Sequence, residues 1–330
     1  MRVVVTGASG NVGTALLRRL ADEPDVEVHG LSRRTPDDVP PYQGVRWTPV
    51  ELGRAGAEEV LKSAFEKADA VVHLAWLIQP SRDERLLYRT NVAGSAQVFD
   101  AAVATGVPHL VHMSSVGAYS PGPKDRRVDE SWPVGGVSTS SYSRHKAAVE
   151  HMLTKFESKL LISRARPGLV LQSDAGAEIH EYFLGPFVPR FLFGQRIPVV
   201  PVPRGLVTQF VHSDDVADGL VRILRRRPEG AVNFVADPVI TPDVLAQVLG
   251  GRHVAVPPRL LRGLANGTWR LRMQPTAPGW VDLALKSPLL DASRARTELG
   301  WEPRHDARET LRALLRGIAR GETVEASPAL

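Results

Sequence analysis

The feature that most restricts the fold is the N-terminus, where a β-branched apolar run leads directly into three regularly spaced glycines. Residues 3–5 are all valine, and Gly7, Gly10 and Gly13 follow before an amphipathic segment. This spacing allows a tight turn, close approach of the backbone to a pyrophosphate, and a helix whose free N–H groups attract the anion. The sequence therefore predicts a strand, a phosphate-binding turn and a helix that hold a dinucleotide. The expected contacts are Thr6, Gly7, Ser9, Gly10, Asn11, Val12 and Gly13.

Strand-like and helix-like segments alternate through the first half of the chain. The apolar run at 69–76 follows an amphipathic segment at 57–68 and precedes another at 91–104. Continuous apolar strands between amphipathic helices indicate a parallel sheet covered on both faces, which is the doubly wound α/β (Rossmann) architecture. Beyond residue 167 the chain becomes aromatic and proline-rich, as is typical of a smaller lobe that forms a pocket wall. We predict a Rossmann domain at 1–166 and 206–237, and a smaller C-terminal substrate lobe at 167–205 and 238–330.

Composition excludes several classes of function. No cysteine is present, so disulfides, thiolate catalysis and cysteine-ligated metals are excluded, and the ten histidines show no metal-ligand spacing. The net charge of +5 comes from scattered arginines rather than from a dense basic run, so nucleic acid is not an expected partner. No apolar run approaches the roughly 18 residues of a membrane span, and the first strand begins too early for a signal peptide. We expect a cytoplasmic protein with a small-molecule substrate, no bound metal and no membrane partner.

The end of the second predicted strand indicates which dinucleotide is bound. In such folds this position lies about 20 residues after the glycine turn and meets the adenosine ribose. An NAD site has an acidic side chain there, whereas this chain has Ser32, Arg33 and Arg34, which are donors suited to a 2′-phosphate. NADP is therefore the expected cofactor. NAD is the alternative if the two arginines are only solvated surface charges.

A tyrosine and a lysine are placed so that they can share one reaction centre. Tyr142 and Lys146 are four residues apart in a helix-forming segment, so their side chains project from one face. An ammonium group beside a phenol lowers the pKa of the phenol towards the range in which it works as an acid or base. Ser115 ends an apolar strand, where a parallel sheet borders its ligand crevice. We predict that Tyr142 transfers a proton, that Lys146 tunes its pKa, and that Ser115 hydrogen-bonds the substrate oxygen.

These motifs together resemble the extended short-chain dehydrogenase/reductase family, also described as the NAD-dependent epimerase/dehydratase family. The resemblance covers nearly the whole chain and includes TGASGNVG, VVHLAW, NVAGS, SSVGAY, YSRHK, RPGLV and FVHSDDVADG. It implies that His212 and Asp215 support the fold, and homodimers are common in the family. The further cofactor contacts that it implies, besides Ser32, Arg33 and Arg34, are Glu51, Leu52, Leu74, Ala75, Trp76, Asn91, Tyr142, Lys146, Pro167 and Gly168.

The substrate is expected to enter between the cofactor and the smaller lobe. Arg190, Arg196 and Arg204 would suit the diphosphate of a sugar nucleotide, whereas the aromatic and proline-rich segment 182–204 suits an apolar ketone such as a polyketide, terpenoid or steroid-like compound. Aromatic residues such as Phe193 also fit the core of the lobe itself. The candidate substrate contacts are Trp76, Gln79, Ser115, Val116, Gly117, Tyr182 and Arg190, with Phe183 beside them.

Three functions fit this sequence. The first is NADP-dependent hydride transfer between the nicotinamide and a carbonyl or hydroxyl substrate at a Ser-Tyr-Lys centre. The second is a nucleotide-sugar epimerase with transient redox, and the third is a non-catalytic cofactor-binding regulator, because fold alone does not set function. The resemblance disfavours sugar-nucleotide 4,6-dehydration, since those enzymes have an Asp-Glu pair where this chain has Val116 and Gly117.

Overall fold

The alternating segments form a seven-stranded central sheet in which every pair of neighbouring strands is parallel, which confirms the predicted doubly wound α/β fold. The computed structural model describes residues 1–79, 81–184 and 188–324. The strands in these ranges are β1 (Arg2–Thr6), β2 (Glu27–Ser32), β3 (Arg46–Pro49), β4 (Ala70–His73), β5 (His109–Met113), β6 (Arg127–Val128), β7 (Leu161–Pro167), β8 (Leu169–Leu171), β9 (Val199–Val202), β10 (Phe210–His212), β11 (Gly230–Phe234), β12 (Arg252–Ala255) and β13 (Leu289–Leu290). The α-helices are α1 (Asn11–Leu20), α2 (Ala57–Phe65), α3 (Glu84–Tyr88), α4 (Gly94–Ala104), α5 (Ser141–Leu153), α6 (Gly176–Ile179), α7 (Ser213–Arg226), α8 (Pro242–Val248), α9 (Pro258–Arg270), α10 (Gly279–Lys286), α11 (Ser293–Leu299) and α12 (Ala307–Arg320).

The order of the strands creates a crevice at the carboxyl ends of the central strands. The order is β11-β7-β5-β4-β1-β2-β3, so β1 lies between β2 and β4. The chain therefore runs outward from β1 to β3 and then crosses to the other side of β1, and such a reversal opens a crevice at the carboxyl ends of the strands. Thr6 is in register with Leu31 on one side and with His73 on the other. The glycine turn, the end of β2 and the segment after β4 consequently meet at this crevice.

Alternate residues of β1 supply two separate cores. Val3 and Val5 pack in a cluster with buried residues of α1 and α7, whereas Val4 packs in a second cluster with α2, α4 and α5. Because successive strand side chains point to opposite faces, an unbroken apolar strand fits only a sheet that helices cover on both sides. Full burial of each such valine contributes roughly 1.5–3 kcal/mol. Because helices pack against both faces of β1, the position of the glycine turn at its end is fixed.

Outside the central sheet, the second half of the chain forms short parallel strand pairs and the C-terminal helices. There β8 pairs with β10, and β9 pairs with β12. The sequence suggests that the whole strand–helix unit at 207–226 returns to the central sheet, but β10 pairs with β8, which leaves that sheet directly after β7 and offers an unpaired edge. Only β11 joins the central sheet. The boundaries of the two lobes stay a prediction.

The joint between α7 and the C-terminal segment depends on Asp215 and His212. Asp215 accepts hydrogen bonds from the backbone N–H groups of Arg304 and His305 at 3.0 and 3.1 Å. The ring of His305 stacks on His212 with 4.0 Å between their centres. No helix in the described part of the chain has the length and apolar character needed to cross a bilayer.

Candidate active site

The glycine turn fits tightly against the segment that follows β4. Gly7 has φ of +73°, and a Cβ added there would lie 2.6 Å from the backbone nitrogen of Ala75. A Cβ on Gly13 would lie 2.3 Å from the carbonyl oxygen of Gly7. The N–H of Gly7 donates to the carbonyl of Leu31 at 2.8 Å, and the N–H of Leu74 donates to the carbonyl of Thr6 at 3.0 Å. Any larger residue at either glycine would therefore displace the turn.

The first helix presents an uncapped N-terminus beside this turn. α1 begins at Asn11 after Gly10, with no side-chain cap and no acidic residue in its first turn. Among the described residues, the Oδ1 atom of Asn11 is buried and has no hydrogen-bond partner. Ser9 and Val12 flank these positions in the turn and the first helical turn. Free N–H groups, a positive dipole end and a close backbone approach suit a pyrophosphate, so these residues fit a dinucleotide.

The end of β2 presents two exposed arginines. Arg33 and Arg34 are exposed, while Ser32 is buried and its hydroxyl donates to the carbonyl of Arg34 at 2.6 Å. Arg33 lies near enough to Tyr182 of the smaller lobe to act on its phenol, although burial, the largest effect, raises the pKa of that phenol. The serine hydroxyl therefore shapes the loop, and the arginines are the cationic groups available at this strand end.

The predicted contacts on the adenine side are held by local interactions. Glu51 is half-exposed and accepts a hydrogen bond from Arg54 at 2.8 Å. Leu52 is buried against Gly94, where an added Cβ would lie 2.7 Å from the Cβ of Leu52. Leu52 therefore packs in the core, and Glu51 is the polar group at this edge.

Asn91, which the resemblance implied as a cofactor contact, holds the segment after β4. It lies in a π-helical turn, Arg89–Ala93, and is buried. Its Oδ1 accepts from the N–H of Leu77 at 2.7 Å, and its Nδ2 donates to the carbonyl of Leu77 at 3.0 Å. Through these two bonds Asn91 positions the segment that carries Trp76.

The structure brings Ser115 and Tyr142 together, although they come from different elements. Ser115 follows β5 and caps a short 3-10 helix, Val116–Ala118, by accepting from the N–H of Gly117 at 3.0 Å. Tyr142 lies in the first turn of α5, and its phenol is close enough to the Ser115 side chain for that hydroxyl to act on the pKa of Tyr142. A Cβ on Gly117 would lie 2.8 Å from Cε1 of Tyr142, so glycine permits this close approach.

Lys146 is buried one turn after Tyr142. Its ammonium group donates to the carbonyl of Met113 at 2.8 Å and lies 5.9 Å from the centre of the Tyr142 ring. It lies only 3.5 Å from the ring centre of Trp76, whose indole N–H is buried and has no hydrogen-bond partner among the described residues. Trp76 therefore covers the lysine.

The pKa values at this centre differ from the sequence expectation. Burial raises the pKa of Tyr142 to about 12, and the nearby Ser115 hydroxyl only partly offsets this rise. Burial also lowers the pKa of Lys146 to about 7, against the opposing effect of Glu150. The expected lowering of the phenol pKa by an ammonium does not occur in this structure, because desolvation disfavours the charged form of both groups. Tyr142 consequently keeps its proton at neutral pH.

Aromatic side chains from distant parts of the chain complete the wall. The Trp280 ring lies 5.0 Å from Tyr142, and the Phe183 ring lies 5.0 Å from Trp280 on its other side. Sequence reasoning missed Trp280, because nothing in its local sequence connects it with a tyrosine in α5. A cavity of about 20 Å³ beside Tyr142 is lined by Leu77, Ile78, Gln79, Ser81, Leu87, Asn91, Ser141, His145, Ala277 and Trp280.

Two predicted substrate contacts meet each other, and two of the predicted arginines, Arg190 and Arg196, contact other parts of the chain. Gln79 donates to the hydroxyl of Tyr182 at 2.9 Å, which joins the segment after β4 to the smaller lobe. Arg190 lies against Gly321 at the end of α12, and Arg196 donates to the carbonyl of Gly250 at 3.2 Å. Phe193 packs against the core of the lobe, 6.2 Å from His180.

The end of β7 borders the site through its backbone. Pro167 is the last residue of β7, and the N–H of Gly168 donates to the carbonyl of Phe234 at 2.9 Å. A Cβ on Gly168 would lie 2.6 Å from the carbonyl oxygen of Gln209. Glycine therefore allows β7 to pass closely under the neighbouring segment at this point.

A buried ion pair supports the reaction centre from behind. Arg166 of β7 binds Glu150 of α5 through two hydrogen bonds of 2.7 Å, and Ser114 donates to the same carboxylate. Arg166 also donates to the hydroxyl of Tyr119 at 2.9 Å. Sequence reasoning did not identify this network. The available signal was the pair of arginines, Arg164 and Arg166, on one face of an otherwise apolar strand.

Comparisons with curated proteins give relatives along most of the chain. An uncharacterized protein of Mycobacterium tuberculosis is 28% identical over 313 residues, which cover 94% of this chain but 29% of that relative. The chain thus spans less than a third of the length of that protein. A 4-hydroxy-2-methyl-3-oxo-4-farnesyl-3,4-dihydroquinoline-1-oxide ketoreductase of Stigmatella aurantiaca is 27% identical over 331 residues, covering 95% of this chain and 96% of the relative.

Solved structures share the fold over nearly the whole length. The UDP-glucose 4-epimerase of Thermus thermophilus, in complex with NAD, has a TM-score of 0.71 at 24% identity and covers 97% of this chain and 99% of its own. A dTDP-glucose 4,6-dehydratase of Streptomyces venezuelae with NAD bound has a TM-score of 0.70 at 20% identity. The match covers 98% of this chain and 99% of the dehydratase chain. At these identities the likeness shows a shared fold. A sequence profile described as the NAD dependent epimerase/dehydratase family matches residues 3–235. The chain therefore belongs to the NAD-dependent epimerase/dehydratase family.

Proposed function

We propose that this chain is an NADPH-dependent reductase of an apolar ketone. The observation that carries the proposal is the aromatic wall at Tyr142, formed by Trp76, Trp280 and Phe183. None of the described residues that line the cavity beside Tyr142 is a lysine or an arginine. A sugar nucleotide needs cationic groups for its diphosphate, whereas an apolar ketone gains affinity from contact with aromatic rings.

The proton-transfer half of the reaction belongs to residues of this chain. The phenol of Tyr142 is protonated at neutral pH, so it is ready to donate a proton to the oxygen of a ketone. Ser115, which lies close to Tyr142, holds the same oxygen through its hydroxyl. Lys146 lies behind the phenol and supplies positive charge when it is protonated, which favours release of the proton. These roles suit reduction, because the acid is already in its donating form.

The cofactor supplies a hydride from C4 of its nicotinamide to the carbonyl carbon when it is bound. The turn formed by Gly7, Gly10 and Gly13 would hold its pyrophosphate at the N-terminus of α1. The buried Oδ1 of Asn11, which has no partner among the described residues, is an acceptor, so its donor would be a hydroxyl group of the cofactor and not the pyrophosphate. Trp76, Trp280 and the segment tethered by Asn91 exclude water around Tyr142.

The curated ketoreductase relative also supports reduction. Its name describes a ketone substrate with a farnesyl chain, and the match covers 95% of this chain and 96% of the relative. An isoprenoid chain is large and apolar, which agrees with a wall of tryptophan and phenylalanine side chains. An epimerase would instead require a sugar nucleotide, and Arg190 and Arg196 contact Gly321 and Gly250 rather than the surroundings of Tyr142.

The test measures net cofactor consumption. The purified chain is incubated either with NADPH and one of the ketones geranylacetone and trans-1-decalone, or with oxidised NAD or NADP and UDP-glucose, and absorbance of the reduced cofactor is followed. We expect the absorbance to fall with at least one ketone and to stay constant with UDP-glucose. Conversion of UDP-glucose to its 4-epimer without any change in reduced cofactor would overturn the proposal in favour of an epimerase.

The preference for NADP rests on Arg33 and Arg34. Both are exposed at the end of β2, and each can form a charge-assisted hydrogen bond to a 2′-phosphate. Replacing both with alanine is expected to weaken NADPH binding by about 2 kcal/mol or more, which is roughly a thirtyfold rise in Kd. The Kd for NADH should change little. Fluorescence titration with both cofactors checks this, with Arg312→Ala on α12 as the control.

The decisive comparison is between the two cofactors on the unaltered chain. If NADH binds as tightly as NADPH, or more tightly, the two arginines do not select the cofactor and the NADP assignment is wrong.

A further inference from the structure

The outer side of α9 is an apolar face that no described part of the chain covers. Leu260, Leu264 and Leu271 are 59%, 64% and 73% exposed, and α9 has no buried residue. A Cβ added to Gly263 or Gly267 would meet no atom within 4 Å. Single exposed leucines are common on protein surfaces, but a row of them on one helix indicates a binding surface.

The exposed residues follow the period of the helix. Leu260, Leu264 and Leu271 are separated by four and seven residues, and Gly267 falls three residues after Leu264 and four before Leu271. Such positions lie on one stripe of an α-helix. Met273, which follows the helix, is also exposed and extends the stripe. The opposite side of α9 is attached to the smaller lobe, since Arg262 binds Asp282 of α10 at 3.0 Å.

Arginines border this stripe, and acidic residues are absent from the surrounding sequence. Arg259, Arg270 and Arg272 are exposed beside the leucines. The chain contains no aspartate or glutamate between Asp243 and Asp282. An amphipathic helix with leucines on one face and arginines at its margin suits the interface of an anionic lipid layer.

We define the α9 face as Leu260, Leu264, Leu271 and Met273 with Arg259, Arg270 and Arg272. The helix that carries this face is connected to segments that reach the predicted reaction centre. α10 begins at Gly279, and its Trp280 lies 5.0 Å from Tyr142. Arg82, which follows Gln79 by three residues in the chain, stacks over Trp269 of α9, with 4.3 Å from its guanidinium carbon to the ring centre. The helix is thus joined to both segments that line the cavity at Tyr142.

We propose that the α9 face docks on the surface of a membrane that contains anionic lipid. The leucines would enter the boundary between head groups and acyl chains, and the arginines would contact phosphate groups. A second copy of the chain fits less well, because a two-fold axis through this face would place arginines of one copy close to those of the other. The proposal rests on this surface and not on the identity of the substrate.

The test is co-sedimentation of the full chain with vesicles of phosphatidylcholine, with and without phosphatidylglycerol. We expect binding to the anionic vesicles that weakens with added salt, and little binding to the neutral ones. The double variant Arg259→Glu with Arg270→Glu is expected to lower the partition coefficient roughly tenfold or more. Leu264→Ser with Leu271→Ser should lower it to a similar extent, because each buried leucine contributes.

The matched control is Arg312→Glu with Arg316→Glu, which reverses two exposed arginines on α12. This control should bind vesicles more tightly than the Arg259/Arg270 variant. Equal loss in both arginine variants would overturn the proposal, since net charge rather than the α9 face would then explain binding. It would also be overturned by a dimer in sedimentation velocity that dissociates in the leucine variant, because the face would then be an interface between copies. Circular dichroism confirms that each variant is folded.

Discussion

Replacing Tyr142 with phenylalanine is expected to lower kcat for ketone reduction roughly a hundredfold to ten-thousandfold, with little change in the Kd for NADPH. The variant retains the ring that packs 5.0 Å from Trp280 and loses only the hydroxyl that lies close to Ser115. The aromatic wall should therefore persist while the proton donor is removed. Steady-state kinetics and cofactor titration, measured on the same sample, separate the two effects.

The matched control for this variant is Tyr88→Phe. Tyr88 is exposed and packs edge-on against His145 of the same helix that carries Tyr142, with 5.7 Å between ring centres. Removal of its hydroxyl should leave kcat nearly unchanged. Full turnover in Tyr142→Phe would contradict the prediction and show that another group donates the proton.

Replacing Glu150 with glutamine is expected to reduce the free energy of unfolding by about 3–5 kcal/mol. Both partners of the Glu150–Arg166 pair are buried, with side chains 3% and 6% exposed, and Arg166 would lose the only carboxylate it binds in the described structure. The glutamine has nearly the same shape, so the loss comes from an uncompensated buried charge rather than from a cavity. Urea denaturation followed by circular dichroism measures the difference.

An exposed ion pair provides the control for this prediction. Glu298 binds Arg294 at 2.9 Å on the surface of α11, and Glu298→Gln should cost about 0–1 kcal/mol. Similar losses in the two variants would contradict the prediction, because burial would then have no effect on the contribution of the pair.

The same pair makes the stability of the fold depend on pH. Burial alone would raise the pKa of Glu150, but the hydrogen bonds and charge of Arg166 hold it below its ordinary value of 4.5. A carboxyl whose pKa is lower in the folded than in the unfolded state stabilises the fold above its unfolded pKa. This contribution is lost as the pH falls through the folded pKa. Glu150→Gln should therefore show a weaker acid dependence of unfolding than the unaltered chain.

The parallel, doubly covered character of the central sheet could be predicted from the sequence, since it follows from local patterns. The valines of β1 and the amphipathic helices around them permit only a sheet covered on both faces. The glycine spacing similarly specifies the turn, because Gly7 has positive φ and Gly13 has no room for a side chain. β10 was placed in the wrong sheet, because three residues carry too little pattern to identify their partner strand.

The surroundings of the predicted reaction centre could not be predicted in the same way. Trp280 reaches Tyr142 from a position more than a hundred residues later in the chain, and Trp76 covers Lys146 from the other side. No local pattern encodes such contacts. The pKa shifts follow from them, since the phenol and the ammonium lose water only when these rings pack around them.

The sequence by itself determined the parallel sheet, the dinucleotide turn and the presence of Ser115, Tyr142 and Lys146, because each depends on residues close together in the chain. The tertiary structure alone decided which groups surround Tyr142, that Arg190 lies against Gly321 instead, and that Glu150 and Arg166 pair behind the site. The reason is physical. Strand, turn and helix form from local backbone preferences and apolar periodicity, whereas burial, charge pairing and desolvation depend on which distant elements come into contact.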